Sequence, residues 1–414
     1  MHEPWDDWIP GVLNRDQMRD LCESNAFSLN APLDSRVIDE SSIDLHLTDE
    51  AFLMRRGSVK PSHEDPYRVF LDRADLAEKL TIQPGQPIRL DAKNTYVFKL
   101  REKLGKRIGE LGIHGQATAK SSVGRVDVLA RLIVDGMDTY ESFAPSCFTR
   151  GEGDMYLEIT PITFAVLVKP GISLSQLRLF YGRPEDVEIK GAELFRAVYA
   201  EPTSHNGSLT VDVTNTKIGG VPAAAFCAES LKAPDNRPPV ALWVSESQKG
   251  KKSKKASPAR GSANPITYWK LKPAEKDGRF KIESENFYIL RSKERICVPP
   301  GIAVYCRASD ETIGEMRIHY AGFVHPLFGR RRRDKTKGTP LIFEVRGHQV
   351  HVCLADGERM ANLTFYRMSK DAPIGKSKPA PYENQILELS KFFADWPKKL
   401  KHPKGVNDGT VEPA

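Results

Sequence analysis

Apolar residues along this chain fall into short runs that turn residues interrupt at frequent intervals. Glycine and proline number 30 and 29, and several runs alternate polar and apolar residues, as His348–Leu354 does. Many short strands with frequent turns are typical of a β-barrel or sandwich and not of a parallel α/β sheet. The clearest runs are Ser42–Leu47, Thr95–Leu100, Phe164–Val168, Ala303–Tyr305, Leu341–Val345 and Val350–Leu354. The pattern therefore predicts a fold dominated by β-strands.

Two segments have the pattern of helices. Asn14 is a good N-cap and is followed three residues later by Gln17, which is the arrangement of a capping box. A second stripe follows Tyr382, where apolar residues recur at spacings of three and four: Ile386, Leu389, Phe393 and Trp396. This stripe predicts an amphipathic terminal helix that packs on the body of the protein.

The sequence repeats itself once. Glu158 and Glu344 lie 186 residues apart within similar apolar runs, and Gly171 and Gly357, which follow them, lie 186 residues apart as well. Other matching segments are Leu179–Tyr181 with Thr364–Tyr366, Asn94–Leu100 with Glu285–Leu290, and Ser42–Leu45 with Leu209–Val213. We therefore predict two tandem copies of one domain, 1–190 and 191–414, joined near residues 182–200.

Length and composition narrow the class of protein. A chain of 414 residues with 40% hydrophobic residues is long enough for two or three domains. It contains no run of eighteen apolar residues, and its N-terminus lacks the pattern of a signal peptide, so we expect no membrane span and a cytoplasmic location. The six cysteines form no C-x-x-C pair, which argues against a disulfide framework and a structural zinc site.

Two basic tracts, Lys249–Lys255 and Arg330–Lys337, hold much of the net charge of +7. Such tracts contact polyanions, either nucleic acid or a triphosphate, or lie in solvated loops. Residues 257–262 are rich in serine, proline and glycine, so the first tract has the composition of a flexible surface insertion. Neither tract is interleaved with aromatic residues for base stacking, which argues against a nucleic-acid binder.

The first copy contains a candidate phosphate-binding loop, Ala119–Arg125. It brings together two hydroxyls, backbone amides and two cations, and these groups bind phosphate oxygens. Asp138 and Glu158 follow it, the latter in the middle of an apolar strand. Alternate strand residues face opposite sides, so Glu158 faces either solvent or a pocket, where burial would raise its pKa and suit it to proton transfer. The residues alone leave both alternatives open.

These segments, taken in order, resemble the motif series of deoxycytidine triphosphate (dCTP) deaminases. The resemblance is carried by Lys120–Arg125, Gly136–Asp138, Leu157–Ile159, Ser41–Leu47 and a tail, Tyr382-Glu383-Asn384-Gln385. Ala321–Pro326 resembles the related dUTPase motif, with His325 in place of the usual aspartate. The two-copy form is similar to a bacterial branch of the family. The resemblance implies two tandem dUTPase-like distorted β-barrel or jelly-roll domains with a few short helices.

The resemblance also implies an activity and roles for residues. It implies hydrolytic deamination of dCTP to dUTP and ammonia, with Glu158 activating a water molecule that attacks C4. Ser121 and Arg125 would act beside it as catalytic residues. The substrate would contact Lys120, Ser122, Asp138, Tyr382, Asn384 and Gln385. Mg²⁺ would be bound through the triphosphate, with no metal ligand from the protein and no zinc, since the zinc-deaminase signature is missing from the sequence.

The chain departs from the family pattern in both copies. Lys120 stands where the family usually has arginine, and Asp127 stands where it has glycine. In the second copy the loop reads Arg307-Ala308-Ser309-Asp310-Glu311-Thr312, so the first serine and the last arginine are missing, although Glu344 is retained. We therefore expect the first copy to carry the reaction, with the second as a degenerate partner. The expected consequence is that Glu158→Gln abolishes turnover, whereas Glu344→Gln leaves most of it.

Several alternatives remain at this stage. A dUTPase, alone or combined with deamination, would use Asp138 to activate water against the α-phosphate. A modified cytosine nucleotide is a possible substrate, and a non-catalytic nucleotide-binding protein is a different class. Sites in the family form between subunits of a trimer. The chain is therefore expected to form a homo-oligomer such as a trimer of two-copy chains, or to fold on itself so that its two copies share a site.

Overall fold

The structure is a computed structural model of the whole chain. It describes residues 3–30, 37–148, 153–200, 207–230, 235–244, 260–308, 316–319, 322–330, 338–374 and 385–397, and all structural statements below refer to these residues. The basic tract 249–255 and most of the tract 330–337 lie outside them, as do Tyr382 and Asn384.

Short strands make up most of the first copy. Its elements are α1 (Arg15–Glu23), α2 (Arg68–Leu71), α3 (Lys106–Glu110), α4 (Ser121–Gly124), β1 (Gly11–Val12), β2 (Phe27–Ser28), β3 (Ile43–Met54), β4 (Ala77–Lys79), β5 (Ile88–Leu90), β6 (Tyr96–Leu100), β7 (Lys103–Leu104), β8 (Ile113–Ala119), β9 (Val128–Val134), β10 (Ser142–Phe143), β11 (Met155–Pro161), β12 (Val166–Val168), β13 (Ser173–Tyr181) and β14 (Glu188–Ile189). The main sheet runs β10-β8-β13-β3-β6-β11-β9 and forms a nearly closed barrel. The predicted β-dominated fold is confirmed.

The second copy also consists mostly of short strands. Its elements are α5 (Ala192–Val198), β15 (Ser208–Thr210), β16 (Lys217–Ile218), β17 (Val221–Pro222), β18 (Ala225–Ala228), β19 (Val240–Ala241), β20 (Lys270–Lys272), β21 (Arg279–Ile282), β22 (Phe287–Ile296), β23 (Ile302–Ala308), β24 (Met316–His319), β25 (Phe323–Val324), β26 (Thr339–Gly347), β27 (Val352–Ala355) and β28 (Arg359–Arg367). Its two larger sheets run β14-β28-β23-β25 and β20-β18-β22-β26-β24.

The strands that carry the two glutamates have equivalent partners. Strand β11 lies between β6 and β9, and β26 lies between β22 and β24. Val97 is opposite Glu158, and Ile289 is opposite Glu344. The turns that follow also match, because Gly171 and Gly357 have φ values of 82° and 84°. The repeat read from the sequence is therefore present in the strand pairing.

The predicted first helix is present. α1 begins after Asn14, whose side chain accepts hydrogen bonds from the backbone amides of Asp16 and Gln17, and the Gln17 side chain accepts one from the amide of Asn14. This satisfies amides that would otherwise lack partners at the helix start. None of the helices in the described part of the chain is long and apolar enough to cross a membrane.

The predicted terminal helix does not form. Residues 385–397 run without helix, and the backbone is tied instead to the Ala263 region, where the Ala394 amide bonds to the Ala263 carbonyl at 2.9 Å. Leu389 and Phe393 are buried, whereas Ile386 is 54% exposed. The apolar spacing therefore reflects insertion of separate side chains into a core that a distant part of the chain supplies.

The two copies share buried apolar surface. A core that consists mainly of first-copy residues also includes Phe226, Trp269 and Phe287 of the second copy. A smaller cluster joins Phe180 of the first copy to Tyr366 of the second, with ring centroids 5.2 Å apart. Burying each such side chain contributes roughly 1.5–3 kcal/mol. This packing fixes how the second copy meets the loop of the first.

Candidate active site

The loop identified in the sequence forms a short turn of helix between two strands. β8 ends at Ala119, α4 spans Ser121–Gly124, and β9 begins at Val128. Ser121 is exposed, whereas Ser122 and Arg125 are buried. The Lys120 ammonium group contacts the Asp44 carboxylate at 2.5 Å, so the first predicted strand supports the loop. The loop thus presents a hydroxyl outward and an arginine inward.

The carboxylate that meets this loop is Glu344 of the second copy. Its Oε1 lies 3.9 Å from Nε of Arg125. The approach to the loop backbone is close, because a Cβ placed on Gly124 would lie 2.9 Å from Oε2 of Glu344. The Glu344 side chain is only 6% exposed. A buried carboxylate beside a guanidinium and a serine-rich loop has the composition of a site for proton transfer.

Burial raises the pKa of Glu344 to about 8. The Arg125 charge opposes this rise and the Asp127 carboxylate adds to it. Burial dominates because an ionised carboxylate loses more solvation than one nearby cation restores. A carboxyl group with such a pKa can accept and return a proton near neutral pH.

The C-terminal tail covers the loop from the other side. Arg125 donates to the Gln385 side-chain oxygen at 2.6 Å and to the Glu388 carbonyl at 3.0 Å. Ser390 donates through its hydroxyl to the Ser122 carbonyl at 2.7 Å. The tail is held to the second copy because the Gln385 amide nitrogen donates to the Pro340 carbonyl at 2.9 Å. Of the three predicted tail residues, only Gln385 is described, and it contacts Arg125.

Glu158 occupies a different environment. It forms an ion pair with Arg131 on the neighbouring strand and accepts hydrogen bonds from the Ser58 hydroxyl at 3.1 Å and the Tyr140 hydroxyl at 3.2 Å. Its side chain is 1% exposed, so it does not face solvent. All of these partners belong to the first copy, and none lies in the Lys120–Arg125 loop. Among the described contacts, the structure does not bring Glu158 to the loop with which the sequence analysis paired it.

Asp138 lies at the surface. Its carboxylate is 49% exposed and is 3.1 Å from Nε2 of His63. This ion pair joins Asp138 to His63 and not to the Lys120–Arg125 loop. The equivalent motif in the second copy carries His325, whose Nδ1 is 3.0 Å from the Ser41 hydroxyl. Burial lowers the pKa of His325, and Lys120 contributes to the lowering. His325 of the second-copy motif is therefore close enough to Lys120 for the Lys120 charge to act on it.

The loop and Glu158 occur together in the first copy, and for this reason the sequence predicts the reaction there. The signal for Glu344 was available, since it is retained in a copy whose own loop has lost its serine and arginine. A glutamate kept without its loop indicates a site shared between the copies. Which glutamate meets the loop depends on how the copies pack, and no local pattern encodes that.

Replacing Gly124 tests how closely Glu344 must approach the loop. In Gly124→Ala the new methyl group would overlap the Glu344 carboxylate, which would move away because it ends a flexible side chain. We expect kcat to fall roughly 10- to 100-fold, the cost of displacing a reacting group by about 1 Å. The thermal midpoint should change little. Steady-state kinetics and thermal melts measure both, and an unchanged kcat would argue against a role of the Glu344–loop contact in turnover.

The described residues contain no group of three or more histidine, cysteine, aspartate or glutamate side chains placed to hold a metal ion. All six cysteines lie within the described ranges and are free thiols.

Comparisons with known proteins agree on one family. Residues 9–183 match the 2'-deoxycytidine 5'-triphosphate deaminase (DCD) N-terminal domain, and residues 257–393 match the C-terminal domain of the same family. No curated protein matches. A solved structure described as 2'-deoxycytidine 5'-triphosphate deaminase from Agrobacterium tumefaciens is similar, with a TM-score of 0.70 and 26% identity over 87% of this chain and 99% of that one. The chain therefore belongs to the 2'-deoxycytidine 5'-triphosphate deaminase family.

Proposed function

We propose that this protein deaminates dCTP to dUTP and ammonia at a site shared by its two copies, with Glu344 as the proton-transfer residue. The observation that carries the proposal is the contact between Glu344 of the second copy and the Gly124–Arg125 segment of the first. The family membership supports the substrate and the reaction. We also propose a cytoplasmic location, where the nucleotide would be available.

The proposed reaction begins with water attack on C4 of cytosine. Glu344 takes a proton from the water as the new C–O bond forms and passes it to the ring nitrogen N3. Glu344 then takes the remaining proton of the C4 hydroxyl and delivers it to the amino group, so that the C–N bond breaks and ammonia leaves as the C4 carbonyl forms. One carboxyl group performs both steps, which requires a pKa near the working pH.

The loop would bind the rest of the nucleotide. Ser121 is exposed on the loop and Lys120 is partly exposed beside Asp44, so a triphosphate would approach the loop on this side. Arg125 is buried against Glu344 and would steady charge at the reacting ring rather than at the terminal phosphates. Ser122 is held by Ser390 through its carbonyl, so its role would be to fix the loop. Gln385 would orient Arg125.

We propose a structural role for Glu158 in place of the catalytic role that the sequence suggested. Its charge is already balanced by Arg131 and its oxygens accept from two hydroxyls. A catalytic role would require the loop of another chain to reach it. A trimer of two-copy chains stays a prediction that a mass measurement in solution tests, and the proposed site does not depend on it because both parts lie in one chain.

Mg²⁺ is proposed to accompany the triphosphate. Magnesium usually keeps several waters and binds nucleotides through phosphate oxygens, so it needs no protein cage. The ion would neutralise phosphate charge next to Lys120, while the residues around Glu344 carry out the proton transfers.

The pH dependence follows from the buried carboxyl group. Glu344 must be ionised to accept a proton, and burial raises its pKa to about 8. We therefore expect kcat/KM to rise between pH 6 and pH 8 and to level off above this range. Because the folded state holds this proton more tightly than the unfolded chain does, the same group lowers stability as the pH rises from about 4.5 to 8. Activity that is flat or falls over this range would contradict the assignment.

Product analysis tests the reaction itself. The purified protein is incubated with dCTP or dUTP and Mg²⁺, and nucleotides, ammonia and pyrophosphate are measured. Deamination gives dUTP and ammonia from dCTP, whereas a dUTPase gives dUMP and pyrophosphate from dUTP, and a bifunctional enzyme gives dUMP, ammonia and pyrophosphate from dCTP. Binding of dCTP without any product would contradict the proposal and favour a non-catalytic protein.

A further inference from the structure

The end of the loop contains a buried ion pair between the copies. Asp127 follows Arg125 by two residues, and its side chain is fully buried. It forms an ion pair with Arg346 of the second copy and accepts a hydrogen bond from the Thr163 hydroxyl. Asp127 has a φ of 56°, which places it in the left-handed region. Aspartate adopts this conformation more readily than most residues, at a cost of about 1 kcal/mol.

Arg346 connects this pair to the catalytic strand. It lies two residues after Glu344 on β26, so the two side chains project to the same face. One of its Nη atoms donates to the Glu285 carbonyl at 2.7 Å, and the other donates to Asp127 and Thr163. The guanidinium group therefore ties β26 to two segments of the first copy. Contacts with both copies therefore fix the orientation of the guanidinium group.

We propose that Asp127 and Arg346 form a positioning pair that fixes the distance between the loop and Glu344 and surrounds Glu344 with a defined set of charges. This inference rests on the proposed role of Glu344. Asp127 stands where the family pattern has a glycine. Its left-handed backbone conformation is unfavourable, but its side chain supplies the carboxylate to which Arg346 binds.

The groups that face Glu344 decide how the pair acts on it. Arg125 lies on the loop, Asp127 follows it, and Cys306 lies on β23, with a pKa that burial raises so that the thiol is neutral. Arg346 reaches the same region through Asp127. Removing the Asp127 charge takes away a repelling carboxylate and leaves a buried cation, so Glu344 ionises at lower pH. Removing the Arg346 charge leaves Asp127 unbalanced, so Glu344 ionises at higher pH.

Two variants with opposite expected shifts test the pair. In Asp127→Asn we expect the acidic limb of kcat/KM against pH to move down by about one pH unit. In Arg346→Gln we expect it to move up by about as much, because a change of charge in a buried site shifts the pKa of a neighbouring carboxyl by about that amount. Both variants should lose about tenfold in kcat through loosened geometry. The double variant should bring the limb back towards its original position, and Arg346→Lys should restore it in part.

A matched control separates this effect from simple destabilisation. Arg291 and Asp212 form another buried ion pair in the second copy, and Arg291→Gln removes the cation there. Arg291→Gln should lower the thermal midpoint as Arg346→Gln does, but it should not shift the acidic limb of kcat/KM against pH. Limbs that stay fixed, or that move in the same direction in Asp127→Asn and Arg346→Gln, would overturn the inference. If Glu344→Gln itself keeps full turnover, the proposed function fails and not only the positioning pair.

Discussion

Glu344→Gln is expected to reduce kcat for dCTP deamination by roughly 10²–10⁴-fold, the contribution of a positioned general acid–base group. The amide keeps the size of the side chain but cannot take a proton from water. In the proposed reaction the loop binds the rest of the nucleotide and Glu344 transfers protons, so dCTP binding should remain within a few-fold of the original. Turnover is measured by ammonia release, and binding by equilibrium titration with dCTP.

The control for this experiment is the equivalent residue of the other copy. Glu158→Gln changes the same chemical group on the matching strand, 186 residues earlier. It should weaken the ion pair with Arg131 and lower the thermal midpoint while leaving most of the turnover. The reverse result, with turnover lost in Glu158→Gln and retained in Glu344→Gln, would assign the reaction to the first copy as the sequence analysis expected.

Arg125→Met should have the second largest effect, on both activity and stability. The guanidinium group is 2% exposed and bonds to Gln385 and to the Glu388 carbonyl. Its removal leaves buried polar groups unpaired and should reduce the free energy of unfolding by about 3 kcal/mol. Without its charge the pKa of Glu344 rises further, so less of the ionised form exists at pH 7 and kcat/KM falls at least tenfold.

Two further variants separate charge from geometry. Arg125→Lys keeps the positive charge but loses the planar fork, so it should recover the pH dependence better than the stability. Arg131→Met removes the cation beside Glu158 and should destabilise the protein with little loss of turnover. Denaturant unfolding and pH–rate profiles measure these effects. If Arg131→Met reduced turnover as strongly as Arg125→Met does, the site would not be the one described.

Local features of this chain were predictable because the residues that create them are close in sequence. The N-cap at Asn14 depends on Gln17 three positions later, and the strands around Glu158 and Glu344 are short apolar runs. The repeat was visible because two glutamates and two glycines keep one spacing. These features require no knowledge of how distant segments pack.

The choice between the two glutamates was not predictable in the same way. It depends on contacts such as Phe180 with Tyr366 and Trp269 with the first-copy core, between residues far apart in the sequence. The helix predicted for the tail does not form for a related reason. The apolar spacing of the tail suits a helix, but Phe393 packs against Trp269 with ring centroids 5.9 Å apart, and that packing outweighs local propensity.

The placement of the loop in one copy and Glu344 in the other also affects behaviour on dilution. Two halves on one polypeptide meet at an effective concentration set by the connecting chain, in the millimolar range for short flexible linkers. Specific activity at the proposed site would therefore be independent of how dilute the protein becomes, whereas a site assembled from separate polypeptides disappears once they dissociate. Under this proposal, covalent linkage would let each copy specialise in one part of the chemistry without losing its counterpart.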